Sequence, residues 1–423
     1  MKSVLILAND FPPKNTVGAE RPYSWYKYFK KNEISVFVVT KNWTDEYHSN
    51  LNDFELDSND IKQAQNSSDF STKLLKKFGY NKFTLLRKFF TFFYHYTQYF
   101  LPVGIHFNIY NEALKILELK KVDLIIATGE PFILFKYASK LSKKYRTPWI
   151  ADYRDDWIQN HGRTYNINPF TKYLMLYDRI WEKKYLKNCS GITCVSDFLA
   201  NQISYRNNKI TCESIENGVD LDVFSNTKSP FQKNEFSIVY TGVLYDQSYL
   251  KDFVIGFTNF VISQNSSEII QLYFIGIETL SNQATIAVET LSEKFPKNVT
   301  ILKKMSQREV ANYQANANLL LNFIAGDPEK GLIGAKSYVY ASTKNPILTI
   351  PSIKNARSPF FPGRDIQLVA ISDIEVTNYL NSIFIDFING NIRKSDITKD
   401  EIFMLSREYQ ANKMIKFISK LCK

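Results

Sequence analysis

Cysteine, histidine, glycine and proline are all scarce in this chain, and no long uncharged apolar run occurs in it. The four cysteines, Cys189, Cys194, Cys212 and Cys422, have no CxxC spacing and the four histidines are scattered. Neither a zinc site nor a disulfide framework is therefore expected, and a reducing cytoplasm fits best. With 15 Gly and 14 Pro, no low-complexity tract and no internal repeat, collagen-like, solenoid and disordered classes are set aside. Nowhere do about 18 apolar residues run together without charge, so no transmembrane helix is expected. The opening MKSVLILANDFPP carries one Lys and a short apolar run closed by Asn9 and Asp10, which reads as a first strand and not as a signal peptide.

What is present is the composition of a globular protein, 44% hydrophobic and 22% charged over 423 residues. That length favours two domains of about 200 residues each. Short apolar runs with β-branched residues recur at Val4 to Ala8, Val36 to Thr40, Leu124 to Thr128, Trp149 to Ala151 and Ile192 to Val195. Stretches long enough for crossover helices separate them, the pattern of a parallel sheet covered on both faces. A second series runs through Phe236 to Thr241, Leu272 to Ile275, Val299 to Leu302, Leu319 to Phe323, Pro346 to Ile350 and Ile366 to Ala370. The polar stretch from Ser225 to Phe236 suits a linker, so the expected fold is α/β, with two Rossmann-like doubly wound domains over 1–228 and 229–400 facing across a cleft. A helical segment, 401–423, closes the chain.

The net charge of +11 is concentrated in part between Lys73 and Leu101, where Lys73, Lys76, Lys77, Lys82, Arg87 and Lys88 alternate with Leu, Phe and Tyr. Basic residues beside bulky aromatics suit a helix lying on an anionic membrane surface; the same pattern also describes a helical hairpin with its rings turned to a core. No nucleic-acid module accompanies the charge, so no nucleic-acid partner is expected.

Three segments carry chemistry. After the first strand, ANDFPPKNTVGAERP leads into a helix near Ala19. Gly18 permits close backbone approach there and Arg21 adds a forked cation, a set suited to phosphate or carboxylate, or simply a Pro-rich turn with a surface Arg. The run PWIADYRDDWIQN ends a strand in Asp152, Arg154, Asp155 and Asp156. It offers a carboxylate for proton handling or electrostatic stabilisation, with Arg154 to orient it, or else a structural Asp–Arg network. His161 is the one histidine near that cluster. In the second half, Gly242 directly follows the strand ending at Thr241, and AGDPEKGLIGAKSYVYAS joins an apolar strand to a helix near Ala335. Gly334 and Lys336 at that helix start suit an anion, because a lysine in a first helical turn is unfavourable unless something negative neutralises it.

Taken in order, FPPKNTVGAER, GEP, PWIADYRDDW, CVSDFL, NGVDLDVF, YTGVLYD and GAKSYVYAS with NPIL resemble family 4 glycosyltransferases of the GT-B fold, nearest to the polysaccharide-assembly members. The resemblance implies a retaining enzyme that needs no metal and no cofactor, since the nucleotide-sugar is a substrate. It implies acceptor contacts at Gly18, Arg21 and His161 and a catalytic region at Asp155 and Arg154. It also implies a donor diphosphate near Gly242, Gly334 and Lys336, a base near Lys304 and Met305, and a last helix packed back on the first domain. A lipid-linked glycan at the cytoplasmic membrane face is the implied acceptor. One departure stands out: relatives place a glutamate for the ribose hydroxyls where this chain has Val339, often paired with another at the position of Gly331. Glu329 is out of register, leaving Tyr338 or Tyr340 as substitutes. Alternatively the chain is a silent glycan- or partner-binding GT-B protein, or an enzyme of the nucleotide-sugar 2-epimerase kind.

Overall fold

A computed structural model describes the chain except residues 15, 44–53, 66–72, 74–76, 78, 80–82, 105, 160–167, 245–249, 278–281, 325–333, 352–366 and 422–423. It divides into two compact units, Met1–Glu216 with Ala411–Lys423, and Asn217–Gln410. The first division falls ahead of the polar linker, and the last helix, Arg407–Leu421, contributes to the first unit from Ala411 onward.

The first unit is built on β1 (Ser3–Leu7), β2 (Ser35–Lys41), β3 (Ile61–Ala64), β4 (Leu124–Gly129), β5 (Trp149–Tyr153), β6 (Gly191–Cys194) and β7 (Cys212–Ser214). They form one parallel sheet in the order β3-β2-β1-β4-β5-β6-β7. Side chains alternate across it, as strand geometry requires. Leu5, Leu7, Ile125 and Ala127 enter one core, whereas Val4, Ile6, Leu124 and Ile126 enter the other. Both faces are covered, which is why the strands read as continuous apolar runs instead of alternating ones. The second core is closed by Trp25, Tyr26 and Phe29 of helix Val17–Lys31 and by Met414, Phe417 and Ile418 of the last helix. Gly191, at the start of β6, makes room for that helix: a Cβ there would lie 2.9 Å from the Phe417 ring.

The second unit repeats the design with β8 (Phe236–Thr241), β9 (Ile270–Ile275), β10 (Val299–Leu302), β11 (Leu319–Ile324), β12 (Ile347–Pro351) and β13 (Gln367–Val369). All are parallel, in the order β10-β9-β8-β11-β12-β13. Here too alternate residues part company: Phe236, Ile238 and Tyr240 face one core and Val239 the other. In each sheet the order reverses beside the first strand, between β1 and β4 and between β8 and β11, and ligands of doubly wound sheets bind outside the carboxyl ends at such points.

Between β3 and β4 the helix Thr84–Thr97 turns its rings outward: Phe89, Phe92 and Phe93 are exposed and Phe90 is half-buried. No helix among the described residues is long and apolar enough to cross a membrane.

Candidate functional site

The charged cluster after β5 separates into distinct fates. Asp152, still on the strand, points into the protein and is fully buried. Arg21 meets it from helix Val17–Lys31, donating Nη2 to Oδ1 at 2.7 Å and Nε to Oδ2 at 2.9 Å, while Nη1 donates to the carbonyl oxygens of Ile215 (2.7 Å) and Glu216 (3.1 Å). Thr193 of β6 donates to the same carboxylate at 2.7 Å. Burial alone would raise the Asp152 carboxyl, but the Arg21 guanidinium and these hydrogen bonds outweigh it and hold the group below the usual carboxylate range. Arg21 is 2% exposed, so it is a joint between helix, strand and the end of the unit, and no ligand-facing cation.

Asp156 is buried as well. It accepts the backbone N–H groups of Ile158 and Gln159 and pairs with Arg206, whose Nη1 lies 2.8 Å away. Arg206 also reaches Glu182, which accepts from the Tyr153 hydroxyl at 3.0 Å. The structural Asp–Arg network anticipated as one reading of the cluster is therefore present, carried by Asp152 and Asp156.

Arg154 and Asp155 face the carboxyl end of the sheet. The Arg154 guanidinium donates to three backbone carbonyls: Gly129 at 2.7 Å, Glu130 at 2.7 Å and Gly18 at 2.8 Å. Gly129 ends β4 and Gly18 lies in the first turn of helix Val17–Lys31, which follows β1, so Arg154 bridges the reversal point of this sheet. A Cβ on Gly18 would stand 2.7 Å from Arg154 Nη1 and 2.8 Å from Asp10 Oδ2, so a larger residue would displace these side-chain ends from the bridge. The close approach at Gly18 serves this chain's own arginine. Asp155 is exposed, and its carboxylate engages no described residue. Of the charges in the cluster it is the one with no partner among the described residues. His161 lies outside the described residues.

In the second unit Gly242 and Lys336 meet at the β8/β11 reversal. Gly242 follows β8 with φ of +90°, and its N–H donates to Ile275 at 2.7 Å. Helix Ala335–Ser342 begins just after Gly334, and Lys336 in its first turn extends back under Gly242; a Cβ on Gly242 would lie 3.1 Å from Lys336 Cε. Lys336 Nζ donates to the Tyr240 hydroxyl at 2.6 Å and stands 4.1 Å from the centre of that ring. No carboxylate of the described residues pairs with it, and burial brings its pKa down to about 7. Nζ also donates to the Val243 carbonyl at 3.4 Å, so the amine is buried with neutral partners alone among the described residues. Gly334 is exposed, and a Cβ on it would meet nothing within 4 Å. Glu329 and Gly331 lie outside the described residues.

Tyr340 does not reach this space. It is fully buried; its hydroxyl accepts the Thr241 N–H at 3.1 Å and shares a second hydrogen bond with the Thr241 hydroxyl, which Gln314 in turn contacts at 2.9 Å. Tyr338 is 1% exposed within an apolar cluster. Tyr338 and Tyr340, the substitutes the sequence offers for the ribose-binding glutamate, are thus core residues, because the helix is covered on two sides: Tyr340 enters the cluster of Val239 and Leu320, and Tyr338 that of Val219 and Leu405. Val339 also packs on apolar neighbours, in the same cluster as Met305 and Tyr313. Lys304 is exposed beside the Gly276 turn and Met305 is half-buried. Sequence reasoning missed Tyr240 as the partner of Lys336, although the motif YTGVLYD contains it. Among the described residues, no group of three His, Cys, Asp or Glu is placed to hold a metal ion.

No protein-family model and no curated protein matches this chain in sequence. Solved structures do. The fold is similar to that of a glycosyltransferase from Rickettsia africae, at 13% identity and a TM-score of 0.62 over 100% of this chain and 99% of that one. It is similar to HepE from Anabaena in complex with UDP-glucose, at 10% identity and a TM-score of 0.61 over 99% of this chain and 100% of that one. It is also similar to the UDP-GlcNAc 2-epimerase from Methanocaldococcus jannaschii, at 11% identity and a TM-score of 0.55 over 99% and 100%. The two Rossmann-like units are those of the GT-B fold.

Proposed function

We propose that this chain is a retaining, metal-independent glycosyltransferase that moves a sugar from a nucleotide-sugar onto a growing, lipid-linked surface glycan at the cytoplasmic face of a membrane. The observation that carries the donor half is Lys336, buried beneath Gly242 at the reversal point of the second sheet with no carboxylate of the described residues beside it. A diphosphate seated there satisfies the ammonium, the N–H groups of the helix start and the open backbone at Gly334, and these same groups stabilise the leaving nucleoside diphosphate. The base then lies toward Lys304 and Met305. HepE, one of the similar structures, holds UDP-glucose, which supports a nucleotide-sugar as the donor. In the first unit, Asp155 is the carboxylate for stabilising positive charge at the anomeric carbon, and Arg154 is the positioning residue that fixes the loops around it. Contact of segment 73–101 with an anionic membrane surface brings the enzyme to a lipid-linked acceptor.

Thermal shifts with a panel of nucleoside diphosphates test this. One should stabilise the protein clearly, by about 2.7 kcal/mol at 100 times its dissociation constant. Absence of a shift with every nucleotide sinks the donor site. Lys336→Ala should weaken the nucleotide, whereas Asp155→Ala should lower turnover with nucleotide affinity retained; full transfer activity in both variants refutes these roles.

A second reading has its own observation. Val339 occupies the position of the family's ribose-binding glutamate and is packed among apolar side chains, which favours a catalytically silent GT-B protein that binds glycan or a partner enzyme. Nucleotide binding without turnover on any acceptor would select it.

A further inference from the structure

We infer that helix Pro169–Leu186 is a second membrane-docking element, forming with helix Thr84–Thr97 one apolar and basic face that lies on an anionic bilayer. The inference rests on the membrane contact proposed above for segment 73–101 and extends it to a helix that its sequence does not single out. It does not depend on sugar transfer.

The second helix has two unlike stripes. Inward, Tyr177, Trp181 and Tyr185 recur at helical spacing and lock onto the turn after the first helix. Tyr177 donates to the Tyr96 carbonyl at 2.6 Å, Trp181 stacks on Tyr99 at 6.0 Å and on Phe100 at 6.1 Å, and Tyr185 donates to the Tyr99 carbonyl. Outward, Tyr173, Leu176 and Ile180 follow one another along the helix and are 58%, 58% and 57% exposed. Lys172, Arg179, Lys183 and Lys184 are exposed with them. The helix has two acids, Asp178 and Glu182, and both are buried, so among the described residues its exposed side chains are apolar or cationic.

The first helix matches it. Leu85 is 84% exposed and Phe89 60%, Lys88 is exposed beside them, and no acid occurs from Lys73 to Asn111. The two helices pack directly on each other beneath these exposed groups: exposed Phe92 packs on Tyr96 at 4.2 Å, Tyr96 on Tyr177 at 4.7 Å, and exposed Phe100 on Trp181. The charge selects the occupant. Two copies of this chain meeting through the face would set cations against cations, whereas anionic headgroups complement them while the rings and aliphatic side chains enter the acyl boundary.

The test is sedimentation of the full chain with vesicles of phosphatidylglycerol and phosphatidylcholine, and with phosphatidylcholine alone. The wild type should bind the mixed vesicles and bind the neutral ones at least about tenfold more weakly. Leu176→Ser with Ile180→Ser, and separately Lys172→Gln with Lys183→Gln, should each lose roughly tenfold in binding with the thermal midpoint unchanged. Hydroxyl-radical footprinting of the unaltered chain reads the same face without any substitution: mixed vesicles should protect Tyr173 and Leu176 together with Leu85 and Phe89. If the wild type binds but these variants bind equally and Leu176 stays reactive, the role of this helix is overturned and that of segment 73–101 stands. Absence of vesicle binding overturns both. Self-association without lipid, abolished by the same variants, overturns the bilayer in favour of a second copy.

Discussion

At the scale of single residues, the decisive fact is that like residues a few positions apart have unlike fates. Arg21 reads in the sequence as a cation for phosphate or carboxylate and Arg154 as the group that orients a catalytic carboxylate, but one is spent on a buried carboxylate and the other on backbone carbonyls. Arg21→Ala strands the Asp152 carboxylate without its counter-charge and should cost roughly 3–5 kcal/mol in urea unfolding, with nucleotide affinity unaltered. An acceptor-binding role predicts the opposite, intact stability with a raised acceptor KM. Gly242→Ala should cost about 1–3 kcal/mol, since φ of +90° suits glycine alone and the new methyl group crowds Lys336. Lys336 gives a pH dependence of defined sign. Its folded-state pKa, near 7, lies below its ordinary value of 10.5, so between those limits the unfolded chain holds a proton that the folded chain lacks. Stability should therefore rise with pH across that window, with the whole penalty present below it, and Lys336→Met should flatten the profile. Nucleoside diphosphate binding should show the reverse slope, weakening by up to about tenfold per pH unit above 7 as the ammonium must be re-protonated to meet the anion. Titration calorimetry at two pH values in buffers of different ionisation enthalpy checks this.

At the scale of elements, the sheets were legible because burial on both faces writes itself as an uninterrupted apolar run. Every strand of the second unit and β1, β2, β4, β5 and β6 of the first coincide with such runs. β3, with the sequence IKQA, and β7, with CES, carry no such signal; both are short edge strands of the first sheet in which polar residues outnumber fully buried apolar ones. The site was legible in the same measure. Gly242, Gly334 and Lys336 follow from the chemistry of a strand–turn–helix junction, and the structure brings Gly242 and Lys336 together. The fates of Asp152, Arg154, Asp155 and Asp156 do not follow, because Arg21, Gly18 and Arg206, which decide them, are remote in sequence and enter through topology alone. The orientation of helix Pro169–Leu186 is set by its interior stripe, and its start by the Asn168–Thr171 capping box. Asn168→Ala should cost about 1 kcal/mol without changing the exposed face, as thermal unfolding would show.

At the scale of the whole molecule, each unit has its own core, so calorimetry should resolve two unfolding transitions, and a bound nucleoside diphosphate should raise the one belonging to Asn217–Gln410. Removing the residues after Gln410 should lower the other transition, because Ala411, Met414, Phe417 and Ile418 leave the core they share with Val4, Ile6 and Ile126.

That shared core also sets an order of assembly. A chain emerging from the ribosome presents the first sheet early, but one face of that sheet is closed by the last helix. The second unit has no such debt and is complete once Gln410 is out. The natural sequence of events, N-terminal domain first, is thereby inverted: the unit made first finishes last, and until the last helix emerges the part of its apolar face that Met414, Phe417 and Ile418 cover stays open.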